Sequence, residues 1–597
     1  MSTRFLVLLS FFISVSFVLI GRLYYLQVEK GDYYRQLAEK NFLKIETINP
    51  SRGRIFDRNG VLLAYDVPYY ELYIVPVMIK KEQLPKLKKN LEKYLGLKID
   101  KDTEELIKSK KYRKIILKGK LSDEDLKRYY NYANLLNGVF VDVVPRRKYT
   151  EFAKYMPHVL GYASYPSKEE LEKNPNLKPD MVVGKTGVER IYNDMLLGEY
   201  GERAVITDAK GRIKKVLWEK PPKEGKDIYL TIDVRFQKVA YEAFKNSGQK
   251  SGAVFIVDPK TYEIYSMLSY PTFDLQKFSD GLSLKEWQKL LKNKYKPLFN
   301  KALNGLYPPG SIYKIIVSTA ALEEGVITPY TKIYSGWAFK IGKWIYRNWN
   351  PAGCGNINVV QALEQSCDTF FYQVGIKLGV DRIVDYTYLF GIGEKLNPKL
   401  ETRVSRVPTP DWKLRRLGEP WFYGDTVNLS IGQGFLAITP FDSVKIVVPV
   451  VNGGKLLKPR LLRAYYDKDK EKLFQTKTEV IKRLNISSST RSTVKRGMYM
   501  VVYGKRGTAK IMKEVPVENA GKTGTAQVYR KKSLKAKKDE KWELKNHAWF
   551  VDFFPYKRPQ FVISTFVEHG GGGSKAAAPI TKEIIEKLYQ EHLVSGG

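Results

Sequence analysis

The sequence predicts an α/β protein in three parts: an apolar N-terminal helix, a strand-rich α+β domain, and a larger C-terminal α/β domain. Three observations predict this. Residues Phe5 to Ile20 (FLVLLSFFISVSFVLI) carry no charge. Pro221-Pro222-Lys223-Glu224-Gly225 is the clearest break in the chain, because Pro and Gly interrupt regular structure. Beyond it, short strand-like runs bracket a long helical stretch, and a helix closes the chain. A length of 597 residues fits about three or four domains at ~100–200 residues each. Hydrophobic residues at 43% and charged residues at 27% are globular proportions, which excludes a disordered chain, a collagen and a coiled-coil rod.

The first element is a membrane anchor. The uncharged run spans about 24 Å as a helix, short of the ~30 Å hydrocarbon core. Apolar character resumes at Leu23-Tyr24-Tyr25-Leu26; Arg22 can snorkel to the headgroups and the tyrosines suit the interface. The anchor is therefore assigned to 5–28, after a short tail at 1–4. A cleaved signal peptide needs a small-x-small site after the run, and Gly-Arg-Leu-Tyr-Tyr fits that poorly. Arg4, Arg22 and Lys30 are too balanced to set the direction of insertion.

Lys and Arg number 101 against 63 Asp and Glu, a formal charge of +38. Such an excess points to nucleic acid or to anionic lipid headgroups. The anchor favours lipid, and no zinc-finger spacing or RNA-recognition signature supports nucleic acid. Two cysteines exclude a disulfide-rich scaffold and a four-Cys zinc finger. Four histidines argue against a His-rich metal enzyme.

The second element covers 29–220. Residues 30–50 read as helical. Asn59-Gly60 marks a turn between apolar runs. Residues 68–142 alternate strand-like pieces (Tyr70–Val75, Lys114–Leu117, Val139–Val143) with Lys/Glu-rich helical pieces, giving a small α+β head at about 68–145. Arg203–Trp218 is strand-rich, with a turn at Lys210-Gly211.

After the linker, 221–227, the third element covers 228–592, and 593–597 is a tail. Ile228–Ile232 reads as a strand and Asp233 as the N-cap of a helix Val234–Ser247. Ala253–Val257 and Glu263–Leu268 flank Asp258-Pro259 as a hairpin. A mostly helical stretch, 285–450, follows. Thr525–Tyr529, Ala548–Phe553 and Gln560–Val567 are strands, and Lys575–His592 is the final helix.

Candidate chemistry lies in this third part. In Leu306-Tyr307-Pro308-Pro309-Gly310-Ser311-Ile312-Tyr313-Lys314, two prolines and a glycine end one structure and a helix begins near Ser311. Ser311 would sit where the backbone N–H groups are unsatisfied and the dipole favours an anion. Lys314 lies one turn on, on the same face. A serine nucleophile needs a base within reach, and a lysine serves when burial or a neighbouring cation lowers its pKa. The plainer reading is a capping serine with a solvated lysine, and Ser-x-x-Lys also occurs at Ser247–Lys250 and Ser492–Lys495. Ser366-Cys367-Asp368 lies between helical stretches, where Asp368 could simply be an N-cap. Lys522-Thr523-Gly524-Thr525 opens a strand-like run, and Gly524 would admit a ligand to the strand edge; a second Lys-Thr-Gly stands at Lys185–Gly187.

The order and context of the three elements are more specific than any one of them. Together they resemble the penicillin-recognising serine transpeptidases and β-lactamases. The wider resemblance is to class B penicillin-binding proteins. It covers nearly the whole chain beyond the anchor, through Arg52-Gly53-x-Ile55-x-Asp57-Arg58-Asn59-Gly60, Arg147, His158-x-Leu160-Gly161-Tyr162, Gly184-x-x-Gly187-x-Glu189-x-x-Tyr192 and Leu197-Gly198. Ser366-Cys367-Asp368-Thr369-Phe370-Phe371-Tyr372 looks like the elongation subgroup, penicillin-binding protein 2; division-type relatives usually carry Asn at the third motif position.

The resemblance implies a non-catalytic pedestal at 29–220 and a β-lactamase-like domain, an antiparallel sheet flanked by helices, at 228–592. It implies cross-linking of peptidoglycan stem peptides ending in D-Ala-D-Ala, on the outer side of the cytoplasmic membrane. Inhibition by β-lactams, no cofactor, no catalytic metal, a RodA-type membrane glycan polymerase and elongation-complex scaffold proteins as partners also follow from it. By the same resemblance Ser311 is the nucleophile, Lys314 its base and Ser366 a proton relay. The oxyanion sits between the N–H groups of Ser311 and Thr525, and Lys522 with Thr523 and Thr525 holds the terminal carboxylate. Lys522 would help keep Lys314 neutral, whereas Asp368 would favour its protonated form; Asp368 could instead pair with another cation or accept a substrate N–H. Some relatives hold a structural zinc beside this motif, but Asn348 and Cys354 stand where Asp and His are expected. A Cys354–Cys367 disulfide, two free thiols and a metal are the alternatives, in that order. The basic run Arg530–Lys538 reads as a solvated loop rather than a substrate clamp. A carboxypeptidase, a β-lactamase, and a penicillin-binding sensor or scaffold that activates a partner are the competing functions.

Overall fold

The computed structural model describes residues 3–32, 43–76, 79–108, 115–174, 177, 181–207, 213–528 and 541–595. The turn at Lys210-Gly211 and the basic run Arg530–Lys538 lie outside them. The chain divides into two compact units.

One unit draws on Met1–Gly53, Asp66–Arg147 and Leu197–Gly225. It begins with a helix, Thr3–Tyr24, that is long and apolar enough to cross a membrane and runs on through a wider turn, Tyr25–Glu29. Leu43–Ile48 is a strand, not the helix read for 30–50. It pairs antiparallel with Gly201–Thr207, which pairs in turn with Ile213–Lys220. The helical reading fails over Leu43–Ile48 because this strand is held by partners far along the chain; residues 33–42 of that reading lie outside the described residues. The small α+β head is built on the end of the strand Leu62–Ile74, which pairs with Ile115–Lys118 and Val139–Tyr149. Helix Leu84–Leu95 packs there through Leu84, Leu87, Leu91 and Leu95, the i, i+3, i+4 spacing of one buried face. Ser122 and Asp125 form a capping box that starts the helix Asp123–Tyr132. Buried Arg147 pairs with Asp66 at 3.0 Å and donates to the Gly53 carbonyl at 2.9 Å.

The other unit comprises Arg54–Tyr65, Lys148–Leu196 and Lys226–Gly597. The boundary expected between a pedestal at 29–220 and a domain at 228–592 is thus not the boundary of packing. Residues 54–65 and 148–196 share one core with the C-terminal part: Ile55, Leu63, Val159, Leu160 and Val188 pack in the same apolar cluster as Ile228, Leu230 and Phe255. Ion pairs fasten the 54–61 segment. Arg54 donates to Asp227 from its backbone at 2.7 Å and from its guanidinium at 2.6 Å. Arg58 lies 3.6 Å over the Tyr265 ring and pairs with Glu263. Asp57, fully buried, accepts N–H groups of Asn59, Val61 and Val234.

Helix α1, Val234–Asn246, is capped by the Asp233 side chain, which accepts from Arg235 N–H. Strands β1, Gly252–Val257, and β2, Ile264–Tyr270, form the hairpin. The central helix α2, Lys314–Glu323, is apolar on nearly every side and correspondingly buried. Helices α3, Val359–Glu364, and α4, Asp368–Leu378, follow. Four short strands within 333–357, paired as two antiparallel ribbons, interrupt the stretch read as helical. Strands β3, Ala520–Ala526, β4, His547–Phe554, and β5, Phe561–Val567, complete an antiparallel sheet of order β2-β1-β5-β4-β3. The closing helix α5 spans Ala578–Gln590.

Alternation along β1 splits the core in two. Ala253, Phe255 and Val257 face the cluster that contains α2; Val254 and Ile256 face the cluster that contains α1 and α5. This is the period of two that a strand imposes. β3 is an edge strand of this sheet, so one side of its backbone is left for a ligand.

Candidate active site

Ser311 lies in a tight turn, Gly310–Tyr313, that leads into α2. Gly310 holds φ +58°, a conformation L side chains rarely adopt, and its N–H donates to the Gly432 carbonyl at 2.9 Å. A Cβ at Gly310 would lie 2.6 Å from the Thr525 carbonyl, and one at Gly524 would lie 2.9 Å from the Pro309 carbonyl. The turn bearing Ser311 and the strand bearing Thr525 thus meet backbone to backbone. Ser311 is half-buried and Thr525 is exposed.

Lys314, the first residue of α2, is fully buried. Its Nζ donates to the Ser366 carbonyl at 2.8 Å, to Ser366 Oγ at 3.4 Å and to Asp368 Oδ1 at 2.6 Å. Lys522, also fully buried, donates from Nζ to Ser366 Oγ at 2.8 Å and to the Thr523 carbonyl at 3.0 Å. One serine hydroxyl therefore stands between two lysine amines. Ser366 holds φ +53° in the bend between α3 and α4, a strained conformation that only its surroundings can maintain.

Burial lowers the pKa of Lys314, and the Asp368 charge opposes that fall without reversing it. Burial pushes Lys522 well below the ordinary lysine range, and the nearby Lys314 charge pushes it further. The Asp368 carboxylate, bonded to Lys314, opposes the fall of both amines.

Asp368 is the first residue of α4 and not its N-cap; Cys367 takes that place. The Asp368 backbone N–H donates to Asn348 Oδ1 at 3.0 Å, and its Oδ2 accepts from Trp349 N–H at 3.3 Å. Cys354 and Cys367 are joined by a disulfide with Cα atoms 6.4 Å apart. Asn348 Nδ2 donates to Cys354 Sγ at 3.1 Å, so Asn348 braces the disulfide and Asp368 together. Among the described residues no three His, Cys, Asp or Glu side chains gather as a metal-ligand set.

On β3, Thr523 Oγ1 lies 2.8 Å from Thr508 Oγ1, and Thr525 Oγ1 accepts from Gly573 N–H at 3.3 Å. Gln433 Nε2 donates to the Thr525 carbonyl at 3.2 Å. The Lys-Thr-Gly-Thr element lies within a strand starting at Ala520, five residues before the predicted start at Thr525; pairing of Ala520 with Phe553 sets that start. No local sequence pattern announces Thr508, Gln433 or Gly573, which reach the site only through packing; Asn348, which the sequence marks only as a departure from a zinc-ligand set, proves to be the brace of Asp368 and the disulfide. A lysine amine held neutral can take a serine proton, and a hydroxyl between two amines can pass it on.

The family model for the penicillin binding protein transpeptidase domain matches residues 252–586, and that for the penicillin-binding protein dimerisation domain matches 47–230. The peptidoglycan D,D-transpeptidase MrdA of Haemophilus influenzae is 34% identical over an alignment covering 96% of this chain and 90% of that protein. The penicillin-binding protein 2 of Helicobacter pylori, solved in complex with MreC, superposes with a TM-score of 0.79 at 30% identity, covering 92% of this chain and 99% of that one. A chain from a peptidoglycan synthase complex, in a structure concerned with the coordination of polymerization and crosslinking, gives a TM-score of 0.69 at 27% identity, covering 100% and 99%. Similarity of this extent over both domains places the protein among the class B penicillin-binding proteins, in the penicillin-binding protein 2 group.

Proposed function

We propose that this protein is a serine peptidoglycan D,D-transpeptidase that cross-links stem peptides during cell elongation. The observation that carries the proposal is Ser366 Oγ held between Lys314 and Lys522, at 3.4 Å and 2.8 Å, beside the turn of Ser311.

Ser311 Oγ attacks the carbonyl of the penultimate D-Ala while neutral Lys314 takes its proton. The oxyanion is met by the backbone N–H groups of Ser311 and Thr525; one such donor is typically worth ~2.7–4 kcal/mol. The intermediate collapses with cleavage of the peptide C–N bond. Ser366 relays a proton to the departing D-Ala amine, and the acyl group stays on Ser311. An amine of a neighbouring stem peptide then attacks the ester, forms the cross-link and returns the proton to the serine. Lys522, Thr523 and Thr525 hold the terminal carboxylate of the donor. A β-lactam enters as the donor does, and its ring-opened acyl group remains on Ser311.

The anchor at 5–28, part of the helical segment that begins at Thr3, holds the chain in the cytoplasmic membrane, with residues 1–4 on the inner side and the residues after 28 on the outer side. Its partners are a RodA-type glycan polymerase and an elongation scaffold of the MreC kind. The net charge of +38 suits a protein working against anionic headgroups and the anionic wall.

Purified full-length protein in detergent is labelled with fluorescent penicillin beside Ser311→Ala. A covalent band present in the wild type and lost in the variant is the expected result. A band that survives the substitution would rule out Ser311 as nucleophile. Absence of a band in the wild type, persisting after addition of the polymerase partner, would favour a non-catalytic scaffold.

A further inference from the structure

The loop from Gly504 to Ala509 touches both halves of the site and belongs to none of its motifs. At one end, Arg506 N–H donates to the buried carboxylate of Glu364 at 2.8 Å, and the Arg506 guanidinium reaches Gln365 Oε1 at 3.3 Å. Glu364 and Gln365 immediately precede Ser366. A Cβ at Gly504 would lie 2.3 Å from Glu364 Oε1, so the loop is seated closely on the carboxylate. At the other end, Thr508 Oγ1 lies 2.8 Å from Thr523 Oγ1. Ala509 N–H returns to the Val501 carbonyl at 3.0 Å and fixes the approach.

A hydroxyl has one proton to donate and two lone pairs to accept with. When a ligand carboxylate binds Thr523, that proton must point at the anion, and the oxygen is then free to accept. We propose that Thr508 is a positioning residue for substrate carboxylate binding: it donates to Thr523 Oγ1, which leaves the Thr523 proton directed at the carboxylate of the donor peptide or penicillin. A threonine methyl at position 508 has no part in this; the hydroxyl alone matters. This inference rests on the acyl-transfer reading above.

The test compares second-order acylation of the full-length protein by benzylpenicillin and by its methyl ester, which lacks the carboxylate. Thr508→Val, which keeps the shape, should lower the rate for the acid by about three- to tenfold, the effect of one hydrogen bond between neutral groups, and leave the rate for the ester unchanged. Thr508→Ser should restore the acid rate to within about twofold, since it restores the donor. Thr508→Ala serves if the valine variant does not fold. Equal slowing of acid and ester would mean that Thr508 merely supports the loop, and unchanged acid rates would mean that it does nothing for the anion; either overturns the proposal. A wild type that reacts with neither compound would overturn the acyl-transfer reading itself.

Discussion

Lys-Thr-Gly occurs twice in this chain, and the two copies differ in everything but their side chains. At Lys185-Thr186-Gly187 the lysine amine is paired with the Glu170 carboxylate. Thr186 is exposed at the start of a short helix, Gly187–Ile191. Gly187 holds φ +57°, and a Cβ there would lie 2.6 Å from the Val159 carbonyl. This copy joins two backbone segments. At Lys522-Thr523-Gly524 the lysine is wholly buried, and its amine meets a serine hydroxyl and a carbonyl. Buried beside a second lysine, it sits well below its usual pKa. The tripeptide is therefore only a carrier: one lysine is paired with a carboxylate near the surface, and the other is buried against a hydroxyl and a carbonyl, the setting that suits the anion-binding role proposed for it.

Between the two copies, the larger effect should come from removing the second lysine. Lys522→Ala deletes the donor to Ser366 Oγ and the proposed partner of the substrate carboxylate. Acylation by penicillin should fall by about a hundredfold to ten-thousandfold, the range for loss of a positioned acid–base group. Stopped-flow or quenched labelling would measure it. A loss below tenfold would erase the distinction between the two copies.

Asp368 sharpens the contrast, because it is the one carboxylate paired within the buried cluster and it pairs with Lys314, not Lys522. In the proposed mechanism Lys314 acts as a base only when neutral, so acylation should rise with pH through its pKa. The Asp368 charge raises that pKa. Asp368→Asn should therefore move the ascending limb of the pH–rate profile to lower pH, by about one unit or more for a neighbouring opposite charge. Below the limb the variant should then outpace the wild type. A limb that stays in place or moves upward would show that Asp368 acts through orientation of the Asn348–Trp349 segment and not through charge.

Local signals explain which parts could be read from sequence. Asp233 caps its helix as its position suggests, the β1–β2 hairpin follows two strand-like runs flanking Asp258-Pro259, and Pro-Pro-Gly ahead of Ser311 marks the turn into α2. Each depends on neighbours within a few residues. The failures depend on distant partners. Leu43–Ile48 is a strand because Gly201–Thr207 pairs with it. Ala520-Gly521 has little strand propensity and is drawn into β3 by β4. Segment 54–65 packs with the C-terminal unit through Asp227 and Glu263, far along the chain. The site shows the same division. Motif spacing marks Ser311, Lys314, Ser366 and Lys522, whereas the Lys314–Asp368 pair and the Thr508–Thr523 contact exist only once the helices and the sheet have packed.

The smallest effect belongs to the first copy. Lys185 and Glu170 form a partly exposed ion pair, with the Glu170 side chain at 39% exposure, and such pairs contribute about 0–1 kcal/mol. Lys185→Ala should leave penicillin acylation within about twofold and lower the melting temperature by ~4 °C at most. The measurement has force because the two substitutions are the same chemical change in the same tripeptide. Burial and partner, and not the Lys-Thr-Gly pattern, must then account for any difference between them. A tenfold loss of acylation in Lys185→Ala at unchanged melting temperature would mean that the first copy also serves the reaction, and the physical distinction drawn between them would fail.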